Sequence, residues 1–92
     1  MRRTLHLDIK GRVQGVGYRH WFATSAIELD LKGWVRNRRD GSVEAVVSGE
    51  EPDIDTLLVR ARQGPRLAVV AAVEIHKVQD EGWSEFSIRS TA

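Results

Sequence analysis

The chain has 92 residues, enough for one domain with a single modest core. It contains no cysteine, which excludes a disulfide scaffold and a thiolate nucleophile and fits a reducing compartment. With 14 basic residues against 13 acidic ones the net charge is +1, too small for a general polyanion-coating role.

The opening MRRTLHLDIK is basic but lacks the apolar stretch of a signal peptide. No apolar run approaches the roughly 20 residues that span a bilayer. The expectation is a cytoplasmic protein with no membrane partner. From Thr4 to Lys10 the pattern alternates, Leu5, Leu7 and Ile9 on one face and His6, Asp8 and Lys10 on the other, which predicts a strand with one buried face. After a glycine-rich stretch, Phe22, Ser25, Ala26 and Leu29 form the stripe of an amphipathic helix. Leu31 to Asn37 and Ser42 to Ser48 read as strands, and the Asp40-Gly41 pair between them signals a hairpin.

A second helix follows. Pro52 suits its first turn, Asp53 and Asp55 complement its dipole, and Ile54, Leu57, Leu58 and Ala61 form its apolar stripe. Gly64-Pro65 stops it. Leu67 to Val78 and Trp83 to Arg89 are the last two strands. The order β-α-β-β-α-β with a short final strand predicts an α+β, ferredoxin-like sandwich: one domain over residues 1–92, with an antiparallel sheet and both helices on one face. The open face should carry mixed charge, including His6, Asp8, Lys10, Glu44, Glu74, His76, Glu85 and Arg89.

The stretch GRVQGVGYRH, Gly11 to His20, falls between the first strand and the first helix. Glycines at 15 and 17 let the backbone turn sharply and approach a ligand. Amides at a helix N-terminus can form an anion nest, and Arg19 can grip two phosphate oxygens with its rigid fork. The spacing is neither Walker-type nor the GxGxxG fingerprint. The alternative is a plain connection with a solvated arginine, and local composition fits both. Asn37, at the end of the second strand, should project on the helix side, held by turn backbone or left free for a ligand or water.

Together, GRVQGVGYR, GWVRN and DGSVE resemble the acylphosphatase family. The similarity covers nearly the whole chain, with counterparts for AIELDLKGWV, the later GP and the terminal FSIR. The resemblance implies a phosphate-binding loop at Val13, Gln14, Gly15, Val16, Gly17 and Tyr18, acting mainly through main-chain N–H groups. It makes Arg19 the catalytic arginine that binds the phosphoryl group, and Asn37 the asparagine that orients the attacking water. It further implies a small-molecule acylphosphate substrate, inorganic phosphate as product, no cofactor and no metal. Gly17 and Tyr18 stand where vertebrate members more often have a phenylalanine pair, which implies a more mobile loop. Asp30 takes a position that is often glycine.

The chemistry is self-consistent. The leaving group is a carboxylate whose conjugate acid has a pKa of about 4, so no general acid is needed. Phosphoryl transfer through a loose transition state asks for positioning and charge neutralisation. An amide such as Asn37 can orient water but cannot act as a base.

Other candidates are weaker. His6, His20 and His76 are too scattered for a local metal motif, and Trp21, Trp34 and Trp83 read as packing residues. Arg36, Arg38 and Arg39 read as a solvated turn that raises the local potential. An RNA-recognition domain shares the element order, but GSVEAVV carries no aromatic for base stacking, so no nucleic-acid partner is expected. A non-catalytic anion sensor would keep the loop, whereas Arg19 and Asn37 together favour catalysis. The chain opens on methionine and ends soon after its last strand, the expectation for a free-standing enzyme, and a monomer is expected.

Overall fold

In the computed structural model, which describes residues 1–92, the first strand β1 (Arg2–Arg12) points Leu5, Leu7 and Ile9 inward, all fully or nearly buried. Burying each such side chain contributes roughly 1.5–3 kcal/mol. The remaining elements are α1 (Tyr18–Glu28), β2 (Lys32–Asn37), β3 (Val43–Glu50), α2 (Glu51–Gln63), β4 (Val69–Lys77) and β5 (Phe86–Ile88). The strands lie in the order β4-β1-β3-β2-β5. This is the ferredoxin-like α+β arrangement.

Both helices cover one face of the sheet. Phe22 and Ala26 of α1, and Ile54, Leu57 and Ala61 of α2, meet Leu7, Ile9, Val35, Val43, Ala45 and Val47 in one core. Phe22 sits between Tyr18 and Phe86, with ring centroids 6.2 and 5.8 Å away.

Local chemistry sets the ends of the elements. Pro52 occupies the first turn of α2, and Glu51 and Asp53 offset its positive end. At the end of α1, Leu31 N–H donates to the Ala26 carbonyl and Asp30 N–H to that of Ile27, closing a Schellman turn. That turn requires a left-handed residue, and Asp30 fills it with φ 57. In the β2–β3 hairpin the Ser42 amide and hydroxyl both donate to Asp40 Oδ1.

Three expectations need correction. The sheet is mixed, because β5 runs parallel to β2. β4 occupies the far edge beyond β1, so residues 78–85 must cross the sheet, and they deliver β5 to the end where β2 also begins. This crossing is pinned by Val78 N–H donating to Thr4 O, Ser48 hydroxyl to Asp80 and Gly33 N–H to Glu85 O. Consequently Trp83 belongs to the crossing, and the last strand begins at Phe86.

Secondly, β4 starts at Val69 because the Ala68 N–H closes a turn onto Pro65. Thirdly, Arg36 and Arg38 are not a solvated turn. On the open face Glu44 is 8 % exposed and receives His6 Nε2 at 2.7 Å, Arg36 Nε at 2.7 Å and Arg38 Nη2 at 2.6 Å. Arg38 also pairs with Asp8 at 3.0 Å. Arg36 and Arg89 lie over the Trp34 ring. Burial alone would push the Glu44 carboxyl up, but the hydrogen bonds from Arg38, His6 and Arg36 outweigh it and hold its pKa at about 2.

Candidate functional site

The loop between β1 and α1 begins at Val13, whose side chain is 1 % exposed and anchors it in the core. Val16 packs against the edge of that core. Between and after them Gly15 (φ 72) and Gly17 (φ 80) are left-handed, and Gly17 is the N-cap of α1. A Cβ at either position would meet no atom within 4 Å, so glycine is favoured there by backbone conformation rather than by crowding.

This conformation leaves a row of donors unused. None of the backbone N–H groups from Val13 through His20 donates to an acceptor elsewhere in the chain. The first helical turn has no side-chain cap and, in contrast to that of α2, no acidic residue. The positive end of α1 is therefore left without a counter-charge.

These residues wall a cavity of about 110 Å³, lined by Val13, Gln14, Gly15, Gly17, Tyr18, Arg19, His20 and Asn37. The cavity brings together Arg19 from α1 and Asn37 from the end of β2. Of the loop residues named from the sequence, Val16 is the one that does not line it. The Arg19 guanidinium has no hydrogen bond or ion pair within the chain, whereas Arg36, Arg38 and Arg60 are all engaged by carboxylates. Asn37 Oδ1 is buried and has no hydrogen-bond partner. A buried acceptor without a donor costs about 1–3 kcal/mol, so this carbonyl is poised to accept a hydrogen bond from water or ligand. Exposed His20 sits at the rim.

Two side chains of the loop are used for something other than the cavity. Gln14 Nε2 donates to the carbonyls of Arg38 (2.6 Å) and Ser42 (2.8 Å), across the β2–β3 hairpin. Tyr18 turns into the core and its hydroxyl donates to the Ala61 carbonyl on α2 at 2.6 Å. Burial pushes the Tyr18 phenol well above its usual pKa, so it stays a donor. Sequence reasoning missed both anchors. For Tyr18 a signal existed: Pro65 lies four residues after Ala61, lacks an N–H, and so leaves that helical carbonyl needing another donor.

A second, larger groove of about 330 Å³ lies on the opposite sheet face, bordered by Trp34, Trp83 and Arg89. Neither Arg19 nor Asn37 reaches it.

The Acylphosphatase family model matches residues 5–88. The chain is 58% identical to an acylphosphatase of Rhodopseudomonas palustris over 65 residues, which span 71% of this chain and 66% of that relative. It is 48% identical to an acylphosphatase of Thiobacillus denitrificans over 88 residues, spanning 96% and 98% of the two chains. Among solved structures, an acylphosphatase from Coxiella burnetii is similar with a TM-score of 0.92 at 36% identity, covering 96% of this chain and 93% of that one.

Proposed function

Given that the chain belongs to the acylphosphatase family and is an enzyme hydrolysing acylphosphates, we propose that it does so without a metal, through the loop Val13–Tyr18, Arg19 and Asn37. The observation that carries this reading is the convergence of unmet polar groups on one cavity: free amides, an unpaired guanidinium and a buried carbonyl without a donor.

The amides of Val13 to Tyr18 and the fork of Arg19 take the phosphoryl oxygens of the substrate and neutralise the charge that spreads over them. Asn37 Oδ1 accepts a hydrogen bond from water and its NH₂ donates to a phosphoryl oxygen, which fixes the water in line with the leaving group. The water oxygen bonds to phosphorus as the carboxylate departs with the P–O bonding pair. The water proton passes to a phosphoryl oxygen, and inorganic phosphate remains. No general acid is needed because the leaving carboxylate is a weak base.

The working unit is a single-domain cytoplasmic monomer acting on small molecules. No helix is long and apolar enough to cross a membrane. Strand β3 offers no aromatic side chain on which a base could stack, so no nucleic-acid partner enters this reading.

Benzoyl phosphate supplied with excess EDTA tests the chemistry. Turnover should match that of the untreated enzyme, with no change in melting temperature. Activity lost to the chelator and restored by a divalent cation would remove the metal-free reading, and phosphate binding without turnover would point to a sensor.

A further inference from the structure

Gln14 lies inside the loop that faces the substrate, yet its side chain is committed elsewhere. Both of its contacts are carbonyl oxygens, so the amide nitrogen must face them, and both N–H donors are consumed. What the carboxamide has left is an acceptor oxygen, which a phosphate dianion does not favour. The backbone N–H of Gln14 remains free for the cavity.

The two carbonyls belong to Arg38 and Ser42, the residues that close the β2–β3 hairpin. Arg38 directly follows Asn37. The hairpin is braced from the other face as well, where the Arg38 side chain is held by Glu44 and Asp8. Gln14 is thus the one side chain that ties the amide-bearing loop directly to the strand end carrying the water-orienting carboxamide.

We propose that Gln14 is a positioning residue: its side chain sets the distance between the phosphate loop with Arg19 and the Asn37 amide. The proposal rests on the roles given above to Arg19 and Asn37. It assigns Gln14 an effect on the chemical step rather than on phosphate affinity, because the buried side chains of Val13 and Tyr18 keep the amides and Arg19 in place without it. Stability is affected little, since neither carbonyl is orphaned when Gln14 is removed. Arg38 O still accepts from Gly41 N–H at 3.1 Å and Ser42 O from Arg38 N–H at 2.8 Å.

The test compares wild type, Gln14→Met, Asn37→Ala and the double variant on benzoyl phosphate, with inorganic phosphate as competitive inhibitor and thermal unfolding as control. Gln14→Met should lower kcat about tenfold to a hundredfold, the range an ångström-scale misplacement produces. Its inhibition constant for phosphate should stay within about threefold of wild type. In the Asn37→Ala background the same substitution should cost less than about threefold more, because both changes disable one device. Gln14→Glu is nearly isosteric and gives a second reading should the methionine variant not fold. Its kcat should partly recover as pH falls through its carboxyl range, ordinarily about 4.3, where the neutral acid regains one donor. Wild type should show no such recovery.

A phosphate inhibition constant that rises in step with the loss of kcat would overturn the proposal. So would additive losses in the double variant, or a Gln14→Met enzyme with normal kcat. If Asn37→Ala itself leaves kcat unchanged, the reading on which the proposal rests fails first, and that outcome is separately visible.

Discussion

Replacing Arg19 by alanine separates a group built for a ligand from one built for the fold. Within the chain the guanidinium has no partner, so its removal breaks no hydrogen bond and opens no core void. The expected change in folding free energy is within about 0.5 kcal/mol, as for ordinary surface substitutions. For a domain of this size that corresponds to a melting shift of no more than about 4 °C. The transition state, in contrast, loses a bidentate grip. Two charge-assisted hydrogen bonds at roughly 1.5–3 kcal/mol each give about 3–6 kcal/mol. At about 1.4 kcal/mol per decade, kcat/KM should fall by about 10²–10⁴. Arg19→Lys keeps the charge without the fork and should fall between the two. Initial rates on benzoyl phosphate and a calorimetric melt, each with and without added phosphate, measure both quantities. Phosphate should raise the melting temperature of wild type much more than that of Arg19→Ala. A loss below tenfold, or a melt lowered as far as a buried-contact deletion would lower it, would refute the reasoning.

Tyr18→Phe keeps the ring but strips the Ala61 carbonyl of its donor; calorimetry should show a loss of about 1–3 kcal/mol, with kcat on folded enzyme within twofold. Asp30→Gly relieves a left-handed residue at a helix end and should raise stability by about 0.5–1 kcal/mol in urea titration. Glu44 has its pKa lowered from 4.5 to about 2, so it contributes stability above pH 4.5 that disappears as pH falls toward 2. The melting-temperature gap between wild type and Glu44→Gln should therefore be full near neutrality and narrow across that interval, and a gap independent of pH would contradict the network.

Much of the fold is legible where one chemical pattern acts alone. The alternation of Leu5, Leu7 and Ile9 survives intact because β1 has one apolar face and a central place in the sheet. Pro52, Asp53 and Gly64 mark the ends of α2 through local rules that need no distant partner. Arg19 and Asn37, singled out by the family resemblance, line one cavity because β1 and β2 both run antiparallel to β3 and so finish at the same end of the sheet. What escapes is whatever depends on a distant partner. Nothing near residue 86 states that its strand will run alongside β2, because that direction follows from where β4 docks. Arg36 and Arg38 look like solvated charge until Glu44 and Asp8 arrive from neighbouring strands. The reach of Gln14 to residues 38 and 42 is likewise invisible along the chain.

The row of unclaimed amides from Val13 to His20 has a consequence for how the molecule spends its time between turnovers. Held by the buried Val13 and Tyr18 side chains and by the Gln14 tether, that segment is geometrically fixed yet lacks the bonding that normally shields a peptide from exchange with solvent. Its N–H protons should swap for deuterium almost as fast as those of a random coil, amid strands that exchange slowly, until an oxyanion settles and slows them. Here order and protection come apart: rigidity is supplied by side chains that turn away from the cavity, and shielding arrives only with the guest.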